Sequence, residues 1–554
     1  KENYMYQLVQ TYRPGAMDTS LVSTDNINNP RTMNAVYNLK ARMEIAKHLG
    51  HEMIEDGEQD NKQFNEFVDE GWLTEFYKKP DQVWTPRVLK DGADSVGALG
   101  ALNRVYLNIG LYSEEWLRHF NAVVGGQPIT PITIKSAIDH SAYWRATEQG
   151  TVKTALFFLK AAQPDHLKDA PGGDSHLTAD AAVLAQGRQA FANTCARCHS
   201  SKAPTPPADL GLTDCNGPNY MTCFKKWWAW TQTDDYKAQM RAIVDAPDFL
   251  TDNYMSTDMR IPVTLLRTNA CSPLATNALA GNIWDNFSSD SYKNLPSVGK
   301  VTFQDPFDGH PWVYDMPAGG RGYTRVPSLI SLWSTAPFLL ANTVGPFTGD
   351  PSVEGRMRSF DASIEQMLWP EKRKHDPELG DKVDGWIDRT DSNSHIFLPV
   401  TYISAIRERL GKDGDTLFAN LADKDGNLVL SDIPQGMPVN LLANLQPLAE
   451  TDDAGDLVKH YIQLLSLLVQ VKEKLLTAPT AATPEQMRAH FASIRDDLMA
   501  LNKCPDFVVN RGHYFGTAKF NDTAALTEDE KAFGTEPVLS DADKRALIEF
   551  LKTF

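Results

Sequence analysis

The sequence predicts a mainly α-helical protein built in more than one region, and three observations predict it. Apolar residues recur at helical spacing in runs such as Val96 to Phe120, Asp456 to Leu476 and Pro484 to Leu498. The chain has 554 residues, beyond the ~250 to 300 at which a single hydrophobic core stops growing. One short motif, Cys195-Ala196-Arg197-Cys198-His199, closes the amphipathic run from Ala182 to Ala192.

Composition is that of a folded globular chain, with 42% hydrophobic and 23% charged residues. The formal charge of −17 argues against nucleic acid as a partner and leaves a basic redox protein or a small-molecule substrate. The richest apolar stretch, Tyr461 to Leu468, is interrupted by Gln463 and Ser466. It reads as a core helix, and no membrane span is expected.

The motif carries the chemistry. Two thiols three positions apart can each add to a vinyl group of a porphyrin, and the adjacent His199 is then placed to bind the iron from below. Cys195 and Cys198 are thus the expected anchors of one covalently bound haem c, with His199 as proximal ligand. A redox Cys-x-x-Cys or half of a zinc site are the alternatives, and the zinc reading lacks a second ligand pair. The expected fold is a multi-region c-type cytochrome with a cytochrome c-like haem core, long loops and helical extensions. Haem attachment of this kind follows export, which places the chain in a periplasm or outside the cell and permits disulfides. The start at Lys1, without an apolar leader, fits a mature exported chain.

Six cysteines are present. Cys215 and Cys223 flank Asn216-Gly217-Pro218-Asn219, a natural local loop, and Cys271 with Cys504 are then left as a long-range pair. Four cysteines allow three pairings, and free thiols remain an alternative.

In chain order, residues 1–179 read as an N-terminal helical region whose aromatic clusters, Tyr106 to Trp116 and Tyr143-Trp144, suit core packing. Pro171-Gly172-Gly173 has the turn chemistry of a boundary. Residues 180–360 form the haem-bearing region, and Pro204, Pro206 and Pro207 force the chain out of helix soon after His199. Met255, Met259 and Met316 are candidate sixth ligands of the iron, as is His513 further on. The other reading of Met255 and Met259 is a helical contact pair or surface side chains. Residues 361–500 read as an inserted region of helices and turns. There Asp413-Gly414-Asp415 and Asp423 to Asn427 lack the glycine and glutamate spacing of an EF-hand, so a hairpin turn at Asp425-Gly426 is expected, with an isolated cation site among the clustered carboxylates as the alternative. Residues 501–554 end in an N-capped amphipathic helix after Ser540, of the kind that closes a haem domain against its first helix.

The run Val326-Pro327-Ser328-Leu329 followed by Thr335-Ala336-Pro337-Phe338 resembles a segment of the bacterial di-haem cytochrome c peroxidases and MauG-like enzymes. Thr268-Asn269-Ala270, Trp284-Asp285-Asn286-Phe287 and Arg511-Gly512-His513-Tyr514-Phe515-Gly516 look closer still to the rubber oxygenase (RoxA-like) branch. The resemblance covers roughly residues 180–360 and 500–554, and it implies haem-based oxidation of an apolar substrate. One departure matters: a single Cys-x-x-Cys-His exists, and Gln304 to Gly320 holds no cysteine that could anchor a second haem. Phe338-Leu339-Leu340 stands where the family often carries a distal histidine, so no such ligand is transferred.

Two functions follow as expectations. The first is a haem c oxidoreductase, of oxygenase or peroxidase type, with an open iron face near the aromatics of Trp284 to Phe287 and Tyr323 to Phe338. The second is an electron-transfer cytochrome, alone or as a subunit of a redox complex, which needs a strong sixth ligand. No catalytic acid or base is identified.

Overall fold

The computed structural model describes residues 164–554 except 252, 254, 258, 275–292, 399–418, 420 and 447–452. The N-terminal helices and aromatic clusters, Trp284 to Phe287 and Asp413-Gly414-Asp415 lie outside the described residues. Within them helices dominate, and the strands occur as three two-stranded antiparallel ladders.

Helix α1 (Ala181–Thr194) starts where the Asp180 carboxylate accepts from the Ala182 and Val183 amides at 2.8 and 3.3 Å. It ends one residue before the motif. Helix α2 (Tyr220–Thr231) turns Tyr220, Phe224, Trp227 and Trp228 into the core, and the Cys215–Cys223 disulfide ties its first turn to the preceding loop. Helix α3 (Asp234–Asp245) lies beside α1, where Arg241 donates to the Asn193 side chain at 2.8 Å. The chain then forms β1 (Arg260–Pro262), β2 (Lys300–Gln304), β3 (Pro311–Asp315) and β4 (Tyr323–Arg325), paired as β1 with β4 and β2 with β3. Helix α4 (Val353–Leu368) follows, capped by Ser352 and burying Met357, Phe360, Ile364 and Leu368 on one face.

Beyond α4 a second cluster of buried side chains spans Leu379 to Val508. It is built from β5 (Ser394–Leu398) paired with β6 (Leu428–Ile433), from α5 (Ala454–Leu476) and from α6 (Pro484–Phe491). The sequence reading of helices and turns here is corrected by the β5–β6 ladder. The turn at Asp425-Gly426 forms, with the Asp423 carboxylate accepting from the Asp425 and Asn427 amides, both at 2.9 Å, and Gly426 at φ 82°. The run from Pro484 to Leu498 is broken: after α6, which opens with a Thr483 capping box, a 3₁₀ turn at Ala492–Ile494 redirects the chain into Arg495–Ala500.

Helix α7 (Asp541–Leu551) carries the chain back to α1. Phe191 meets Phe550 and Phe554 edge to face at 5.6 and 5.3 Å, and Gln186 donates to Asp543 at 2.8 Å. The two helices approach so closely at Gly187 that a Cβ there would overlap the Ala546 carbonyl and the Phe550 side chain. The local and the long-range readings of the cysteines are both realised, since Cys271 and Cys504 also form a disulfide.

Gly187 gives a test with an informative sign. In a free helix, glycine to alanine stabilises by about 1 kcal/mol; here Gly187→Ala is expected to destabilise by about 1 to 3 kcal/mol through overpacking. Denaturant unfolding measures it, and a stabilised variant rejects the tight crossing of α1 and α7.

Candidate haem site

The five-residue motif occupies a turn after α1 rather than the helix itself. The Cys198 and His199 amides both donate to the Cys195 carbonyl, at 3.1 and 2.9 Å, which folds the two thiols onto one side of the chain. Cys195 and Cys198 are free thiols, whereas the other four cysteines are joined in pairs. Burial pushes both thiols up to about 12. Among the described residues no three His, Cys, Asp or Glu side chains gather as a metal cage.

Arg197, between the thiols, is nearly fully buried. Its guanidinium pairs with the buried Glu536 carboxylate and lies over the Trp228 ring at 4.2 Å. The pair anchors the motif turn to the segment that precedes α7. Asn253 holds the other side: its side-chain oxygen accepts from the Ser201 and Met255 amides at 3.0 and 2.9 Å, and its amide donates to Ser200 at 3.0 Å. The backbone near Met255 and Pro327 is thereby laid against His199.

Burial drives His199 down to about 4, with the backbone of Met255 and Pro327 opposing the shift. Its Nδ1 is buried without a hydrogen-bond partner. A buried imidazole that is neutral and incompletely paired has the character of a metal ligand.

His513 comes to the same place from the far end of the chain. The two imidazole centres are 6.1 Å apart with their planes inclined by 57°. Burial, His199 and Arg373 together lower His513 to about 3. The backbone around it is tightly specified. His513 adopts φ 54°, and its amide donates to the Leu266 carbonyl at 2.8 Å. Gly512, at φ 93°, lies so near the Thr268 backbone that a Cβ has no room. Arg373 donates to the Asn510 and Gly512 carbonyls at 3.1 and 2.8 Å and covers the Tyr514 ring. The Asp506 carboxylate accepts from the Ala270 amide at 2.7 Å and from Arg511 at 2.7 Å. Segments 267–271 and 504–513 are thus one unit, closed by the Cys271–Cys504 disulfide.

Of the four candidate sixth ligands, the structure brings His513 and Met255 to His199. Met255 meets it through its backbone. Met259 is buried in the loop before β1, and Met316 in the loop after β3 where its methyl faces Gly322. Met255 and Met259 are corrected in one respect: they are 1% and 0% exposed and outside any helix, so neither a helical contact pair nor surface side chains. Tyr323 and Trp333 act as core anchors, with Tyr323 Oη donating to Pro296 and Trp333 Nε1 to Asp165, both at 2.7 Å. Sequence reasoning passed over Arg373 and Glu536, which lie far along the chain from the groups they hold; the only signal was their charge in otherwise apolar surroundings. Compared with known proteins, the chain matches no family model, no curated protein and no solved structure.

Removing one partner of a buried ion pair strands the other charge, at a cost of about 3 to 5 kcal/mol. Glu536→Ala is expected to lose that much in denaturant unfolding, while the double variant Arg197→Met/Glu536→Leu recovers a large part. Equal losses from both variants mean that the pair is not closed in the folded protein.

Proposed function

We propose that this chain is a haem c electron-transfer protein, similar to the RoxA-like branch of the bacterial di-haem cytochromes, with His199 and His513 as the two axial ligands of one iron. The observation that carries the reading is the 6.1 Å between the two ring centres. Metal–nitrogen bonds of about 2 Å on either side of an iron put two imidazole centres roughly 6 Å apart, whatever their mutual rotation. The donor set fits in other ways too. The imidazoles are held neutral by burial, and two free thiols stand beside one of them. The closing of α7 on α1 supports a cytochrome c-like core.

When bound, haem c supplies a one-electron iron couple. The chain's own residues then have separate tasks. Cys195 and Cys198 would fasten the porphyrin, and His199 and His513 would hold its iron. Arg373 and Gly512 fix the backbone that presents His513. The Arg197–Glu536 pair keeps the turn between the thiols in place without leaving net charge there. The formal net charge of −17 suits a basic redox partner, and two disulfides suit an exported compartment. Among the described residues no helix is long and apolar enough to cross a membrane. An oxygenase or peroxidase needs a vacant iron face, and the 6.1 Å between the His199 and His513 ring centres favours a filled one.

Absorption and EPR spectra of the purified protein, oxidised and reduced and with carbon monoxide, oxygen and peroxide added, test the proposal. Low-spin iron inert to all three is expected. His513→Gly is expected to give a high-spin reduced form that binds carbon monoxide, with covalent haem content unchanged. Wild-type protein that binds carbon monoxide directly removes His513 as a ligand and returns the open-haem oxidoreductase. Protein without covalently held haem overturns the whole reading.

A further inference from the structure

Beside His513 stands a buried cation that no carboxylate answers. Arg373 is 3% exposed. Its guanidinium bridges two pieces of main chain. Nε and Nη2 donate to the Gln366 and Met367 carbonyls at 2.9 and 3.5 Å, in the last turn of α4, and Nη1 donates to the Asn510 and Gly512 carbonyls at 3.1 and 2.8 Å. The Tyr514 ring lies 5.0 Å from it. These partners satisfy the donors without cancelling the charge, since the carbonyl end of a helix amounts to about half of one elementary charge. An arginine keeps its proton even when buried.

The carboxylates of the surrounding segments are spent on other cations. Asp376 pairs with Arg389 at 3.1 Å, Asp384 with Lys519 at 2.7 Å and Asp506 with Arg511 at 2.7 Å. On the side of His199, Arg197 and Glu536 cancel each other. Lys374, next in the chain, is exposed and lies over the Trp386 ring at 3.1 Å. The positive charge of Arg373 is therefore left over, and it reaches the imidazole: after burial and His199, it is the next cause that lowers His513.

Building on the ligation proposed above, we infer that Arg373 raises the reduction potential of the iron held by His199 and His513. Oxidation adds one positive charge to the iron, and a fixed cation nearby, in a site that water does not screen, makes that addition more costly. A clamp that works through its carbonyl contacts alone makes a different prediction, because its effect follows the contacts and not the charge.

Redox titration of the haem-loaded full chain at pH 6, read by absorption, tests the charge, with denaturant unfolding in parallel. Low-spin iron is expected in the wild type. Arg373→Gln, which keeps donors and loses the charge, is expected to lower the ferrous-to-ferric ratio at fixed poise about tenfold, or about 59 mV for a one-electron couple. Arg373→Lys, which keeps the charge at this pH and loses most of the carbonyl contacts, is expected to stay within about threefold of wild type. Unfolding is expected to show both variants destabilised, so stability and potential separate in the lysine variant. Where the glutamine variant does not fold, Arg373→Met removes the charge in its place. An unmoved potential on loss of the charge, or an equal fall in the lysine variant, overturns the role of Arg373 while low-spin wild-type iron keeps the ligation. Wild-type protein without low-spin iron removes the ligation itself, and the role of Arg373 with it.

Discussion

Everything around the motif depends on the union of two segments distant in sequence, 267–271 and 504–513. A carboxylate makes the union. Asp506 is completely buried and spends its oxygens on the Ala270 amide and the Arg511 guanidinium, while Asn269 donates to the Asp506 and Val508 carbonyls at 3.2 and 3.0 Å. A buried carboxylate is tolerable only when it is so answered. Once it is, the seven residues that follow have little freedom, and His513 is delivered to His199 in a left-handed backbone conformation that few residues adopt unaided. The second hydrophobic cluster is the detour the chain takes between the two halves of that union.

Charge inside the protein follows one rule with two forms. Arg197, Arg389 and Arg511 are each answered by a buried carboxylate. Arg373 instead uses carbonyls, taking those of Gln366, Asn510 and Gly512. The carbonyl form fixes backbone geometry, because each oxygen belongs to the main chain. It therefore suits the loop that must hold an imidazole in one orientation, whereas the carboxylate form suits places where two elements must be joined.

Much of this was legible in the sequence where the signal is local or periodic. The thiol motif, the Asp425-Gly426 turn, the long helix from Asp456 and the capped helix after Ser540 each announce themselves within a dozen residues. The local disulfide at Cys215 and Cys223 does so too. The strands did not, because three-residue and five-residue strands such as β1 and β2 are too short to show an alternation. Helix α4 was missed although Met357, Phe360, Ile364 and Leu368 stand at helical spacing. The meeting of His199 with His513, and the burial of Met255 and Met259, are products of long-range packing that no window of sequence contains.

The closing of α7 on α1 has a consequence for how the molecule is made. Among the described residues, the face of α1 that carries Gly187 and Phe191 is covered by α7, synthesised more than three hundred positions later. Until then, among the described residues, Phe249 is the ring that Phe191 can pack against. During synthesis α1 therefore waits with that apolar face uncovered by α7, a period of exposure in which helper proteins that shield such surfaces have the most to protect.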